Sequence, residues 1–448
     1  MSIFEERYRQ RTPRSRMIYE EARNHLAGGV GGRAKFIKPY PLYLRSAKGC
    51  RVTDVDGNEY IDVTMGAGPC VLGHNPEPVL EAVRRQMSIA THTLWATELE
   101  VELAKRIKRH MPHLELLRFT NSGSEATRTA VRVARAFTGK EKIAKFEGNF
   151  HGADDAFLIS TSAAEVAGTD TAPQPVFDCP GVPSSLLDQT VVLPYNDAAT
   201  SEALLRRHAH ELAAVIMELV AVTPGFGVPA DKRFLETVRR VTAEEGIVLI
   251  FDEIVTGFRL GLGGAAALFG VFPDLAAIGK AFAGGIPVGA FGGRRDIMEK
   301  VVTPTGEASD ARTKIFHSGT FTANPVAMAA GLATLDELEK GDVYAHLNDL
   351  GEYLREGFKD LFARRGIAAQ VTGIGSIYNF VFSEHPIRNR RDVLRSDLTF
   401  HGELCLGLIT KGILQPIRHT GFLSAAHTRA EMDQILTAAE EVLQEMRA

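Results

Sequence analysis

Lys280 lies in DLAAIGKAFAGGIPVGAFGG, a stretch with no other charged residue between Ala276 and Gly293. A lysine is ordinarily a solvated surface charge. An ammonium group set among apolar residues loses its hydration, and such a lysine shifts its pKa or reacts. A desolvated amine of lowered pKa is the nucleophile of Schiff-base chemistry. Asp252 follows the apolar run GIVLIF. Strands buried on both faces have this composition, and ligands of open α/β sheets bind beyond their carboxyl ends. Asp252 also reads as the N-cap of a following helix. The pair is more specific than either residue. A lysine that condenses with an aldehyde and a carboxylate that keeps a pyridine nitrogen protonated are the two groups that pyridoxal phosphate requires of a protein.

That cofactor also needs an anion site. FTNSGSEATRTAV places Ser122, Gly123 and Ser124 between a strand-like and a helical run, where backbone N–H groups and hydroxyls face an anion at a helix N-terminus. An ordinary N-cap with Glu125 in the first turn explains the same residues. A second candidate is FHSGTFTANP, in which Gly319 and Thr320 precede another helical run.

The elements that must position these residues show in the patterning. GCRVTDVDGNEYIDV reads as a hairpin around Asp56-Gly57-Asn58. From about Pro78, helical segments alternate with the strand-like runs LELLRFT, KIAKF, LAAVIMEL and GIVLIFDEI, which predicts a mostly parallel sheet covered by helices. After about residue 330 the pattern turns to long amphipathic helices with short strands. The expected organisation is an N-terminal segment, 1–75, belonging to a small domain; a large cofactor-binding domain, 76–330; and a C-terminal small domain, 331–448.

Of 448 residues, 45% are hydrophobic and 24% charged, as in globular proteins. With 51 Lys and Arg against 55 Asp and Glu, the net charge of −4 gives no basic excess for nucleic acid. No run is long and apolar enough to span a membrane. The scattered Cys50, Cys70, Cys179 and Cys405 form no metal-ligand pattern. Together with the charged start MSIFEERYRQR, this sets the expectation of a reduced, cytoplasmic protein without a metal.

Several long motifs in order, among them VTDVDGNEYIDV, LGHNPEPV, RFTNSGSEATRTAVRVARAFTG, FEGNFHG, FDEIVTGFR and SGTFTANPVAMAAG, resemble the class III aminotransferases of pyridoxal-phosphate fold type I. The likeness is strongest to the glutamate-1-semialdehyde aminomutase-like branch, which includes aminotransferases of β-amino acids. It covers nearly the whole chain and implies an α/β large domain with a mixed, mostly parallel sheet, a smaller α+β domain, and pyridoxal 5'-phosphate. It implies that Lys280 is the Schiff-base lysine and proton shuttle, and that Asp252 is the partner of the pyridine nitrogen. By the same resemblance Phe150 stacks on the ring where the family often has Tyr, Ser122, Gly123 and Ser124 form the phosphate cup, and His151 and Val255 join the cofactor site. Gly319 and Thr320 resemble phosphate contacts supplied by a second subunit, which implies a homodimer with shared active sites. Glu218 matches a family glutamate, but Val222-Thr223 replaces Gly-Asn, leaving Thr223 as the substitute contact to the ring's 3-oxygen.

The substrate end separates two activities. The aminomutase loop reads Gly-Gly-Val-Asn-Ser-Pro-Val-Arg, its arginine binding the substrate carboxylate. Here Gly28 to Lys35 reads GGVGGRAK, and Arg33 resembles the early arginine of β-amino-acid aminotransferases. Arg33 or Lys35 can hold a carboxylate; a solvated loop arginine is the plain alternative. Near the C-terminus the aminomutase carries an acid before Ala-Gly-Phe, whereas IRHTGF supplies Arg418 and His419. A cation there suits a keto-acid acceptor such as 2-oxoglutarate or pyruvate, and Arg418 also reads as an exposed turn residue. Trp95 falls where the family lines its substrate pocket, with core packing as the alternative. The resulting expectation is a ping-pong aminotransferase, with an aminomutase or epimerase as the rival reading. A scaffold protein that lost the chemistry is disfavoured by Lys280 and Asp252, and a dinucleotide-binding dehydrogenase by the missing GxGxxG.

Overall fold

The computed structural model describes residues 2–162 and 165–446. The chain divides into a larger unit, Glu77–Tyr344 with Pro386–Arg395, and a smaller one, Met1–Pro76, Ala345–His385 and Ser396–Ala448.

The larger unit is organised by a seven-stranded sheet. In chain order its strands are β1 (Leu116–Thr120), β2 (Lys142–Phe146), β3 (Thr190–Leu193), β4 (Leu212–Glu218), β5 (Val248–Glu253), β6 (Leu275–Gly279) and β7 (Gly289–Gly293). Across the sheet they run β1-β7-β6-β5-β4-β2-β3. The pairs β6–β5, β5–β4, β4–β2 and β2–β3 are parallel, while β7 is antiparallel to both neighbours. Every residue of β4 to β7 is buried, so these strands read as continuous runs of apolar and small residues rather than alternating ones. The architecture is the α/β class with a mixed, mostly parallel sheet.

The reversal at β7 sets up the site. Because β7 opposes both β6 and β1, those two strands run the same way, and the carboxyl ends of β1, β2, β4, β5 and β6 share one edge. Register fixes what stands there. Thr120 pairs with Gly289 and Gly289 with Gly279, while Asp252 pairs with Glu218 on one side and Ala277 on the other. The helix Gly123–Thr138 lies on the sheet through Ala126, Ala130, Val133 and Ala134, which join one core with Ile216, Ile250, Ala277 and Phe291. Small residues one turn apart let that helix approach closely.

The sequence reading ends the large domain at residue 330, inside the helix Pro325–Leu338. The structure carries the larger unit on to Tyr344 and returns to it at Pro386–Arg395. The helix continues with Leu335 and Leu338 fully buried, packed on helices Glu77–Ile89 and Glu98–His110; its run of small and apolar residues is covered around most of its circumference and shows no break at residue 330.

In the smaller unit, strands Arg51–Asp54 and Glu59–Asp62 pair antiparallel around Asp56-Gly57-Asn58, as the hairpin pattern requires. Gly57 takes φ +91, and Asp54 accepts hydrogen bonds from the Asp56 and Asn58 amides. Strand Ile413–Leu414 joins this sheet beside Glu59–Asp62, so the two ends of the chain share one unit. A second core stacks Phe358, Phe362, Tyr378 and Phe380. Among the described residues, no helix is long and apolar enough to cross a membrane.

Asp62 also ties down the segment after the hairpin. It accepts from the Thr64 amide at 2.7 Å and pairs with His74 Nε2 at 2.7 Å. That hydrogen bond, then one to Cys70, raises the His74 pKa to about 10 against the opposing effect of burial. In the unfolded chain the imidazole titrates near 6.5. The folded state therefore holds a proton that the unfolded state has lost between those values, and stability contributed by His74 is full below pH ~6.5 and disappears as pH rises through ~10. Urea unfolding of the parent and of His74→Gln should differ by a few kcal/mol at pH 6, roughly, and converge at pH 10.5; a difference independent of pH would contradict the ion pair.

Candidate active site

Three ionisable side chains meet at the ends of adjacent strands: Glu218 closes β4, Asp252 stands at the end of β5, and Lys280 follows β6. Asp252 is buried and cross-braced. Its Oδ1 accepts the Ile254 amide at 3.0 Å, and its Oδ2 lies 2.8 Å from His151 Nδ1. It caps no helix; the residues after it form turns. Burial lowers the pKa of His151, opposed by the hydrogen bond to Asp252. A neutral imidazole bound to a carboxylate carries its proton on Nδ1 and donates it. Burial pushes the Glu218 carboxyl up, and the neighbouring Asp252 adds to that. Burial lowers the Lys280 ammonium, with Asp252 and Glu218 opposing. The lysine also sits at φ +51, a left-handed backbone that costs a non-glycine residue about 1–3 kcal/mol and collects at functional sites.

The loop after β2 completes this corner. Phe150 donates its amide to Glu218 Oε2 at 2.8 Å, and the Glu218 amide donates to Asn149 Oδ1 at 2.9 Å. The Phe150 ring remains 44% exposed, an open aromatic face beside the carboxylates. Thr127 Oγ1 donates to the His151 carbonyl. Beneath the loop lies Lys145, fully buried, with Nζ donating to the carbonyls of Phe157 and Ile159 and to Thr161 Oγ1. Thr161 Oγ1 in turn reaches the Asn149 carbonyl at 3.1 Å. Asn149 and Lys145 are not singled out by sequence reading. Asn149 stands inside FEGNFHG, and the charge of Lys145 within KIAKF was the available signal.

At the same edge, Ser122 caps the helix Gly123–Thr138 and accepts the Glu125 amide. The ordinary N-cap is therefore present, and sixteen helical residues point the positive end of their dipole to this edge, a geometry compatible with an anion. Ser124 Oγ accepts the Ala153 amide, joining the cup to the ring-side loop. Two glycines make the approach possible. A Cβ on Gly123 would stand 2.8 Å from Ile254, and one on Gly289 would stand 2.6 Å from the Ser122 carbonyl.

Of the other expected residues, Val255 follows Asp252 in the turn, half-buried. Thr223 is half-buried and follows Val222, whose amide donates to Glu218 Oε1 at 3.3 Å. Gly319 lies beside Asn121, a Cβ there meeting Asn121 Nδ2 at 3.2 Å, and Thr320 is exposed next to it. Both line a cleft of about 690 Å³ with Leu94 and Val101. Trp95 is 84% exposed, which removes the core-packing alternative. Arg33 and Lys35 stand exposed in the turn Arg33–Lys35 of the smaller unit, and Arg418 is exposed there too, at φ +55.

Residues 34–442 match the family described as aminotransferase class-III. The glutamate-1-semialdehyde 2,1-aminomutase of Methanosarcina acetivorans is 39% identical over 432 residues, which cover 96% of this chain and 98% of that protein. Among solved structures, an omega-transaminase from Sphaerobacter thermophilus superposes with a TM-score of 0.91 at 35% identity, over 97% of this chain and 98% of that one. A β-phenylalanine aminotransferase from Variovorax paradoxus gives 0.88 at 31%, over 99% and 96%. The chain belongs to the class-III aminotransferases.

The residues present fit a pyridine aldehyde phosphate. An amine of lowered pKa, a buried carboxylate, an open aromatic face and a glycine-backed helix N-terminus share one sheet edge. Gly289→Ala adds only a methyl, but on the backbone side of the cup, where the Ser122 carbonyl must yield. Its pyridoxal-phosphate affinity, measured by titrating resolved apoprotein, should fall at least tenfold with the circular dichroism of the fold retained. Parental affinity would mean that the cup does not carry the phosphate.

Proposed function

We propose that the protein is a pyridoxal-phosphate-dependent aminotransferase that moves an amino group from an amino acid, β-amino acids included, to a keto acid such as 2-oxoglutarate or pyruvate in two half-reactions. The observation that carries this reading is the meeting of Lys280, Asp252 and Glu218 at three neighbouring strand ends. Pyridoxal 5'-phosphate is the cofactor; when bound, it supplies an aldehyde for amines and a protonated ring that stores the electron pair left at a substrate carbon.

The chain's own residues do the rest. Lys280, its pKa lowered by burial, has more of its amine in the nucleophilic form and, once displaced by the donor, takes the proton from the substrate Cα. Asp252, held by His151, keeps the proton on the ring nitrogen. Ser122, Gly123 and Ser124 anchor the phosphate, Phe150 stacks on the ring, and Thr223 is the contact to its 3-oxygen. Glu218 fixes the Phe150 and Val222 amides and so sets where the ring-side loop stands. Arg33, with Lys35 beside it, and Arg418 are the cations for substrate carboxylates in this reading.

The working unit is a homodimer. Leu94, Trp95, Val101, Phe316 and Phe321 all lie exposed in the larger unit, and a soluble monomer seldom leaves so many large apolar side chains open together. Gly319 and Thr320 share that region's cleft with Leu94 and Val101, consistent with phosphate contacts given to a second copy, and Trp95 is read as a residue of the substrate pocket. The protein acts on small molecules in the cytoplasm.

The curated relative is an aminomutase, which makes isomerisation the second reading. Against it stand the altered Gly28–Lys35 loop and Arg418, a cation where the aminomutase carries an acid. The test is a visible absorbance titration of the holoprotein without a keto acid, using α-, β- and ω-amino acids singly. A donor that bleaches the band and releases one equivalent of keto product marks an aminotransferase. Turnover of glutamate-1-semialdehyde with no acceptor, and no response to any donor, would overturn that in favour of the mutase. Lys280→Ala should abolish turnover; retained activity would end the assignment.

A further inference from the structure

Pro386–Arg395 leaves and re-enters the smaller unit in sequence yet packs in the larger one. It carries the short helix Arg390–Leu394, and the side chains of that helix reach two loops of the candidate site. Arg391 is almost fully buried, and its guanidinium makes five hydrogen bonds. Nε and Nη2 donate to the two carboxylate oxygens of Glu147 at 2.7 and 3.1 Å; Nη2 also donates to the Ala167 carbonyl at 2.8 Å, and Nη1 to the Gly168 carbonyl and Asp170 at 3.2 and 3.1 Å. Next to it, Arg390 Nη1 donates to the Pro224 carbonyl at 3.4 Å. Its Cβ fills the space over Gly148, where an added Cβ would stand 2.5 Å away.

Glu147 is equally buried and immediately precedes the Gly148–His151 loop. Its amide is fixed to the Leu193 carbonyl at 2.9 Å. A buried ion pair is a poor device for stability alone, since desolvating both charges offsets most of their attraction. A bidentate guanidinium–carboxylate fork does fix geometry in a plane. Three and four residues beyond this fork stand Phe150 and His151, the open ring and the brace of Asp252.

We propose that Arg391 is a positioning residue for the cofactor site: through its fork onto Glu147 it holds the Gly148–His151 loop so that Phe150 faces the ring and His151 stays behind Asp252. The role rests on the cofactor reading given above. It belongs to no residue of the Lys280 cluster, and Arg391 itself touches none of the expected cofactor contacts.

A purely structural Arg391 would only tie down the hairpin Ala167–Gln174, so the test separates the two. Resolved full-length apoprotein is titrated with pyridoxal phosphate, following the visible circular-dichroism band, and the pH midpoint of that band and the thermal midpoint are recorded. The variants are Arg391→Met, Arg391→Lys and Glu147→Gln, with Arg395→Met as a control that removes only the exposed pair to Asp170 and Asp392. Arg391→Met should weaken cofactor binding at least tenfold and shift the pH midpoint, Arg391→Lys should recover part of both, and Arg395→Met should stay within twofold of the parent. Parental affinity and midpoint in Arg391→Met, with any fall in thermal stability, would overturn the proposal. Should Arg391→Met not fold, Glu147→Gln decides: a threefold or greater loss with a shifted midpoint supports positioning, and parental values refute it. A parent chain that forms no visible band with pyridoxal phosphate would refute the cofactor reading itself, and the proposal with it.

Discussion

A carboxylate kept out of water has to be held by its neighbours, and the larger unit is arranged around that requirement at Asp252. The side chain stands near the end of a fully buried central strand, where solvent cannot hydrate it. It is retained by one backbone amide and by His151. Two further ionisable groups stand close enough to feel its charge. Glu218 is its register partner on the next strand; burial shifts the Glu218 carboxyl upward, and the neighbouring Asp252 adds to that because two carboxyls so close cannot both keep their charge cheaply. Lys280 supplies the compensating cation, but burial works against its charge as well. The cluster thus holds an amine near reactivity and a carboxylate near a fixed orientation within one electrostatic unit.

Topology makes the cluster possible. A single antiparallel strand, β7, turns the outer strand β1 back into the common direction, so the helix N-terminus at Ser122 opens on the same edge as the lysine and the carboxylates. That strand is the glycine-rich GAFGG, and its glycines are the places where side chains would collide with neighbouring backbone: Gly289 with Ser122, Gly292 with Leu116, Gly293 with Asp274. The glycine cluster that stands out in the sequence is therefore a packing solution in the sheet as much as a ligand-facing one.

Lys280 and Asp252 were legible in the sequence because each is a charge at odds with its local composition, and a mismatch of that kind survives without knowledge of the fold. Strands β4 and β5 were legible for a related reason, since burial on both faces leaves an unbroken apolar run. What the sequence could not display were pairings between distant residues. Arg391 meets Glu147 across 244 positions, and within RNRRDV it looks like any exposed basic run. Lys145 offered only its own charge as a signal, inside a five-residue run KIAKF that reads simply as a strand. The larger unit runs on past residue 330 to Tyr344 because that position falls inside one unbroken helix of small and apolar residues, which carries no signal of a boundary. Trp95 shows the converse: a large aromatic side chain suggests a core, and in this chain it stands on the surface.

The claim that everything else serves is that Asp252, oriented by His151, keeps the cofactor's ring nitrogen protonated. The direct measurement is the ¹⁵N chemical shift of ring-labelled pyridoxal phosphate bound to the parent chain and to Asp252→Asn, recorded from pH 6 to 9. The account predicts a pyridinium shift throughout that range in the parent and an unprotonated pyridine in the variant. An unprotonated nitrogen in the parent, or a pyridinium that survives in Asp252→Asn, would contradict it.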